Sequence, residues 1–303
     1  PESPPARRTM HHDGASDPNS VRDFIARRNK SAPRTAGNPR QARLSKSWHT
    51  ICLGMLARHS DTPSKEQIMN KTSITATLAV LIATLPFAGS VHAEDSPFTA
   101  NVGLVSDYAY RGYSQTDERP ALQGGFDYAH ESGLYAGVWG SNVSWLSDGN
   151  NDVSNSLELD IYGGYKGTVG AIGYDVGLLQ YYYPGSYPKP YNSPNTLEGY
   201  LGLSWEFLSF KYSYAFTDLF GYDKSDGSQY YDLGAAVDIG YGITLAAHVG
   251  YNDIKGQDDY TDWKLGLSKE YGGFNFGLHY VDTDVNNSDL ADERVILSVS
   301  KSF

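Results

Sequence analysis

Two stretches decide the fold: Tyr231-Asp232-Leu233-Gly234-Ala235-Ala236-Val237-Asp238-Ile239 and Phe274-Asn275-Phe276-Gly277-Leu278-His279-Tyr280. In both, every second residue is apolar or aromatic, while most of those between are Asp, Asn, Gly or His. Leu157, Leu159 and Ile161 alternate with Glu158 and Asp160 in the same way. A period of two puts the two sets on opposite faces of a strand. No apolar run after Ala93 reaches the roughly 18 residues a membrane-spanning helix needs. The same register can be drawn over 97–106, 120–130, 133–143, 156–167, 170–182, 196–207, 209–218, 229–240, 242–252, 261–270, 273–282 and 293–303. Each span is about ten residues, the length of a tilted strand crossing hydrocarbon.

The connections carry as much information as the strands. The short ones are His130 to Gly133, Gly167 to Gly170, Leu208-Ser209, Tyr241-Gly242 and Gly272-Gly273. Between them fall longer ones at 107–119, 144–155, 183–195, 219–228, 253–260 and 283–292. Strict alternation of short and long is the rhythm of a chain running up and down a membrane wall, with tight turns on the periplasmic side and loops outside. The sequence therefore predicts an all-β, transmembrane, up-and-down antiparallel barrel of about twelve strands. A soluble β-sandwich also has many strands. It would need to bury the apolar face, and here the opposite face carries charges and glycines.

The chain falls into chemically different parts. Residues 1–93 hold 13 Lys and Arg against 6 Asp and Glu, whereas 94–303 hold 11 against 29. All 24 tyrosines and 28 of the 32 glycines follow residue 93, and the single cysteine, Cys52, precedes it. A cysteine-free segment has no disulfide scaffold, thiol nucleophile or thiolate metal site. From Met69 to Ala93 the pattern is that of a secretory signal peptide: Lys71, an apolar stretch from Ile74 to Phe87, and Val91-His92-Ala93 before the expected cut. Residues 1–68 are basic and lack periodicity. With a signal peptide inside the chain, they are expected to be an extension upstream of the true start at Met69. The barrel is assigned to 94–303 and the location to the bacterial outer membrane.

Aromatic residues gather at the ends of the spans: Trp205 and Phe207, Tyr271, and Tyr181 to Tyr183. Tyr and Trp concentrate where bilayer meets water. The final residue, Phe303, follows Val295, Leu297 and Val299 at two-residue spacing and is expected to be the signal read by the outer-membrane assembly machinery, although Lys301 interrupts the apolar series.

The run Ser106-Asp107-Tyr108-Ala109-Tyr110-Arg111-Gly112-Tyr113-Ser114-Gln115, with Pro120 to Tyr128 and Gly133 to Asn142, resembles the TorF-type porin family. The likeness extends over 97–303. It implies an outer-membrane channel and attaches no substrate or catalytic residue.

On the predicted register the lumen-facing candidates are Asp127, Glu158, Asp160, Asp175, Glu198, Glu206, Asp232 and Asp238 against Lys166, Lys211 and Lys264. That imbalance leans toward cations. Arg111, just past the first strand among tyrosines, is expected either to reach into the mouth or to pair with a lumen carboxylate. The acidic loops suit divalent cations shared with lipopolysaccharide. Asp282, Asp284, Asn286 and Glu293 have EF-hand spacing, yet Asn287 stands where that loop needs Gly and strands flank it. No G-x-S-x-G, H-E-x-x-H, G-x-G-x-x-G or phosphate loop occurs after residue 93. An enzyme, a cofactor and nucleic acid are not expected. The expected role is passive diffusion of small hydrophilic solutes. The alternative is a non-conducting structural or surface-interaction barrel binding lipopolysaccharide or cations through its acidic loops.

Overall fold

The computed structural model describes residues 96–148 and 152–303. The expectations placed on 1–93 (the upstream extension, the signal peptide and its cleavage after Ala93) lie outside those residues. Twelve strands form the wall: β1 Phe98–Val105, β2 Ala121–Ala129, β3 Leu134–Asn142, β4 Leu157–Val169, β5 Ile172–Tyr182, β6 Thr196–Trp205, β7 Leu208–Ala215, β8 Gln229–Asp238, β9 Ile243–Asp253, β10 Tyr260–Tyr271, β11 Phe274–Thr283 and β12 Arg294–Ser302. Each pairs antiparallel with its chain neighbours, and β12 returns to β1 from Asn101↔Ser302 to Val105↔Ser298. Closure leaves no edge with unpaired backbone groups, which a sheet in hydrocarbon must avoid. Among the described residues no helix is long and apolar enough to cross a membrane.

Exposure identifies the medium outside the wall. Leu122 is 62% exposed, Leu134 57% and Leu265 52%, while Glu158 and Asp160 are each 1% exposed. Along β4 the outward residues are Leu157, Ile161 and Tyr165, and the inward ones are Glu158, Asp160 and Tyr162. A soluble monomer exposes apolar patches of only a few hundred Å². Here the outer side of every strand is apolar, so the wall is built inside out, for lipid. Trp205, Phe207, Tyr241 and Tyr271 stand exposed beside the short turns and form an aromatic rim there. Tyr181 and Tyr183 do not join a rim. They are 3% exposed and face inward, and only Tyr182 between them faces out. Period two dictates this split within a run of three tyrosines.

Three turns differ from the expected ones. β4 continues to Val169, so the turn falls on Gly170 rather than on 167–170. β6 stops at Trp205, whose partner is Leu208, and the connection is Glu206-Phe207 instead of Leu208-Ser209. Glu206 takes a φ of 53°, which a two-residue hairpin connection demands. β8 stops at Asp238, and the turn over 239–242 uses Gly240, Tyr241 and Gly242, all at positive φ.

Inside, tyrosine rings lie over glycines of the neighbouring strand. A Cβ at Gly137 would fall 2.5 Å from the Tyr162 ring, and one at Gly177 would fall 2.6 Å from the Tyr200 ring. Gly250 is covered by Tyr230 in the same way. The glycines give these rings room to lie flat along the inner wall, leaving their hydroxyls to reach polar partners.

Candidate functional site in the barrel lumen

The connection between β1 and β2 does not extend away from the barrel. It folds into the long-loop half of the lumen as a miniature hairpin, Ala109–Tyr110 paired with Tyr113–Ser114. Arg111 and Gly112 form its tip at φ values of 45° and 82°. Two positive φ angles are the signature of the tight turn that matches strand twist. Gly112 is further constrained by space, because a Cβ there would approach Thr283 Cγ2 to 2.2 Å and Asp262 Cβ to 2.9 Å. The tip presses against β10 and β11.

Contacts from this hairpin reach much of the circumference. The Arg111 guanidinium donates to both carboxylate oxygens of Glu198 on β6 through one Nη, at 2.9 and 2.8 Å. Its carbon lies 4.2 Å from the centre of the Tyr230 ring on β8 and 5.0 Å from that of Tyr110. Tyr260 donates to the Arg111 carbonyl at 3.0 Å. Tyr110 and Tyr181 share a hydroxyl contact of 2.6 Å, and Tyr181 also donates to Glu198. Tyr108 donates to Glu158 at 3.3 Å. Burial, followed by the carboxylates of Glu158 and Asp160, pushes the Tyr108 hydroxyl well above its ordinary range, so it remains a proton donor. At the base of the loop, Asp107 accepts from Ser114, Thr116 and Arg294. The Ser114 amide donates to the Leu290 carbonyl, and the Ser144 amide to that of Gln115, tying the hairpin to two other external loops.

Arg111, expected either at the mouth or in an ion pair, is therefore paired inside the lumen with Glu198. Both are almost wholly buried. Removing one partner of such a pair leaves an uncompensated buried charge and costs about 3–5 kcal/mol.

Further polar contacts line the rest of the lumen. Tyr135 donates to Asp175 at 2.6 Å and touches the Tyr200 hydroxyl. Lys211 sits over the Tyr200 ring and Lys166 over that of Tyr135. Tyr162 donates to Asp127 at 2.5 Å. On the facing wall His248 lies between Asp232, 3.1 Å away, and Asp262, 3.5 Å away. Tyr230 and Asn252 also donate to Asp262. Lys264 pairs in register with His248 on the same inner face.

One expected lumen residue falls elsewhere, and another stands at the rim of the lumen. Glu206 is exposed in the β6–β7 turn, because the ladder ends one residue before it. Asp238 pairs in register with Thr244 at the short-turn end of β8, exposed at the lumen mouth, where it accepts the Gly240 amide at 2.6 Å and caps the turn. Asp262 and Arg294, absent from the sequence list, both face inward and are buried. They share the even register of Lys264 and Ile296 on their own strands, so the signal that places them was already in the pattern. Asp107 lies in the loop, where no period exists to reveal it.

The EF-hand-like spacing does not gather ligands. Asp282 accepts from Tyr280 and from the Thr283 amide, and Asp284 accepts the Thr261 amide. Asn287 takes the glycine-like φ of 65°. No group of three or more His, Cys, Asp or Glu is placed to hold a metal among the described residues. Phe303 bonds Ala100 in both directions across the seam, and its ring and that of Phe274 lie under the Lys301 ammonium.

The KdgM porin aligns with a TM-score of 0.46 and 11% identity over 68% of this chain and 99% of its own. The NanC porin gives 0.41 and 14% over 67% and 97%. The COG4313 outer membrane channel from Pseudomonas putida F1 gives 0.41 and 15% over 71% and 98%. No curated protein matches the chain. A family model described as a bacterial protein of unknown function, Gcw_chp, matches residues 91–303, which include the whole barrel, and the chain belongs to that family.

Proposed function

We propose that the protein is an outer-membrane channel for small hydrophilic solutes, narrowed at its external end by the inserted hairpin. The observation that carries this reading is the inside-out wall, apolar on every outer face and polar within. With ~4.8 Å between strands and a tilt of ~40°, twelve strands give a backbone radius on the order of 12 Å. That encloses a narrow space lined by small residues on one side: Ser209, Gly234, Ala236, Ala246 and Gly266. The resemblance of Ser106 to Gln115 to TorF-type porins supports the same reading.

Inward or loop acids Asp107, Asp127, Glu158, Asp160, Asp175, Glu198, Asp232 and Asp262 outnumber Arg111, Lys166, Lys211, Lys264 and Arg294. The channel is therefore proposed to prefer cations. The location proposed is the outer membrane, with lipid, lipopolysaccharide and the assembly machinery as partners and no enzymatic role. Planar-bilayer recording of the purified protein in a salt gradient tests both statements. Steady conductance steps with a cation-selective reversal potential are expected.

The second reading is the non-conducting structural or surface-interaction barrel. The close fit of the hairpin favours it, since Tyr108, Arg111 and Ser114 are all buried in the lumen. Silence in the bilayer, with bound lipopolysaccharide retained on purification, would decide for it.

A further inference from the structure

Arg111 is not set in a generic acidic surface. Its guanidinium is held by both oxygens of Glu198 and stacked near Tyr230 and Tyr110, with Tyr181 donating to the same carboxylate. A carboxylate that takes one cationic nitrogen between its two oxygens, flanked by aromatic faces, is a receptor for a small organic cation. Beside it stands a second carboxylate. Asp160 pairs in register with Tyr181 on the inner face, is 1% exposed, and its Oδ1 has no hydrogen-bond donor among the described residues. A buried carboxylate oxygen without a donor is costly unless the group takes up a proton or a positive charge comes to it. The loop supplies one cationic head to a cage of two acids, and Lys211 on β7 adds a second positive charge that acts on both without donating to Asp160 Oδ1. The head is carried on a two-residue turn, at the end of a hairpin joined to the wall mainly through side chains, so it can leave without breaking the barrel ladder.

We infer that the Glu198–Tyr230–Tyr181–Asp160 cage is a binding site for small organic cations bearing a guanidinium or primary ammonium group, and that Arg111 occupies it as a tethered competitor. This rests on the channel reading and names its solute class. A molecule with a guanidinium at one end and an ammonium at the other would satisfy Glu198 and Asp160 together. Binding displaces the Arg111 tip, so solute entry and widening of the external lumen are the same event.

Agmatine is the probe. The full-length protein and its Arg111→Ala and Arg111→Gln variants are purified from outer membranes in detergent, and folding is checked by heat-modifiable gel mobility. Agmatine binding is measured by calorimetry, and conductance in bilayers. The variants are expected to bind agmatine at least about tenfold more tightly than the wild type, the factor corresponding to 1.4 kcal/mol of removed competition. Adding Glu198→Gln to Arg111→Gln should abolish that binding. Folded variants that bind agmatine no better than the wild type, or no better than a neutral polyol of similar size, overturn the site. If neither variant folds, wild-type proteoliposomes carry the test. Agmatine flux equal to that of the neutral polyol then overturns the proposal, and severalfold faster flux supports it. Absence of conductance in every protein, with agmatine binding intact, refutes the channel reading and leaves the site standing.

Discussion

The two ends of the lumen are built from different residues. Toward the long loops, inward positions are large or charged and tightly packed: Leu179, Tyr181, Glu198 and Arg294 are all buried, and the inserted loop adds Tyr108 and Arg111 to the space. Toward the short turns, the wall from β7 to β9 presents Ser209, Gly234, Ala236, Ala246 and Thr244, half-buried and short. Backbone geometry is the same at both ends, because strand number and tilt fix the radius. What separates an obstructed end from an open one is side-chain volume and one inserted hairpin. The barrel sets the bore, and the loop sets the passage.

The largest effect should come from erasing that difference. Replacing 108–114 with a short Gly-Ser connection is expected to raise single-channel conductance severalfold. Ala236→Trp at the periplasmic end should lower it. If the loop deletion leaves conductance unchanged, the external end is not the narrow one.

Next in size is the ion pair that seats the loop. Arg111→Ala or Glu198→Ala leaves a buried charge without its partner and should cost about 3–5 kcal/mol. The cost is expected in the docking of the loop rather than in the barrel ladder. Protease sensitivity within 106–120 should rise, while strand amides in hydrogen exchange stay protected. Uniform loss of protection would mean that the pair supports the wall itself.

A smaller effect is expected at the hairpin tip. Gly112→Ala places a Cβ against Thr283 and Asp262 at a positive φ, and should cost about 1–3 kcal/mol by overpacking. The readout is increased current noise and faster cleavage of the same loop. Smallest of all is Ala246→Ser in the open half, which is expected to change unfolding in urea by less than about 0.5 kcal/mol.

Most of the wall could be read from the residues in order, because period two is a local signal and survives without knowledge of neighbours. Twelve strands, their closing order and the alternation of turn lengths follow from it, as do the inward positions of Glu158, Asp160, Asp175 and Lys264. The register was misjudged only where a strand ends. Glu206 continues the inward series by parity, yet it falls in the turn beyond the ladder, whereas Asp238 keeps its inward register and stands exposed at the mouth. The loop was opaque for a different reason. Nothing in Tyr108-Ala109-Tyr110-Arg111-Gly112-Tyr113 says that it turns inward, since its partners Glu198, Tyr230 and Tyr260 lie 87 or more residues away in sequence for the ion pair, and farther for the others. Adjacent Arg-Gly between tyrosines is consistent with a tight hairpin, but only the three-dimensional placement shows which way it points.

The central claim is that lipid lies outside this wall and water inside, and two neighbouring alanines test it. Ala246 faces the lumen, paired with Ala236, while Ala247 faces outward, paired with Ala235. The barrel has no cysteine of its own, so each can be replaced singly by Cys and spin-labelled in lipid vesicles. The label at 247 should relax with dissolved oxygen, which partitions into hydrocarbon, and the label at 246 with a water-soluble nickel chelate. The reverse pattern, or equal access of the chelate to both, would contradict the account.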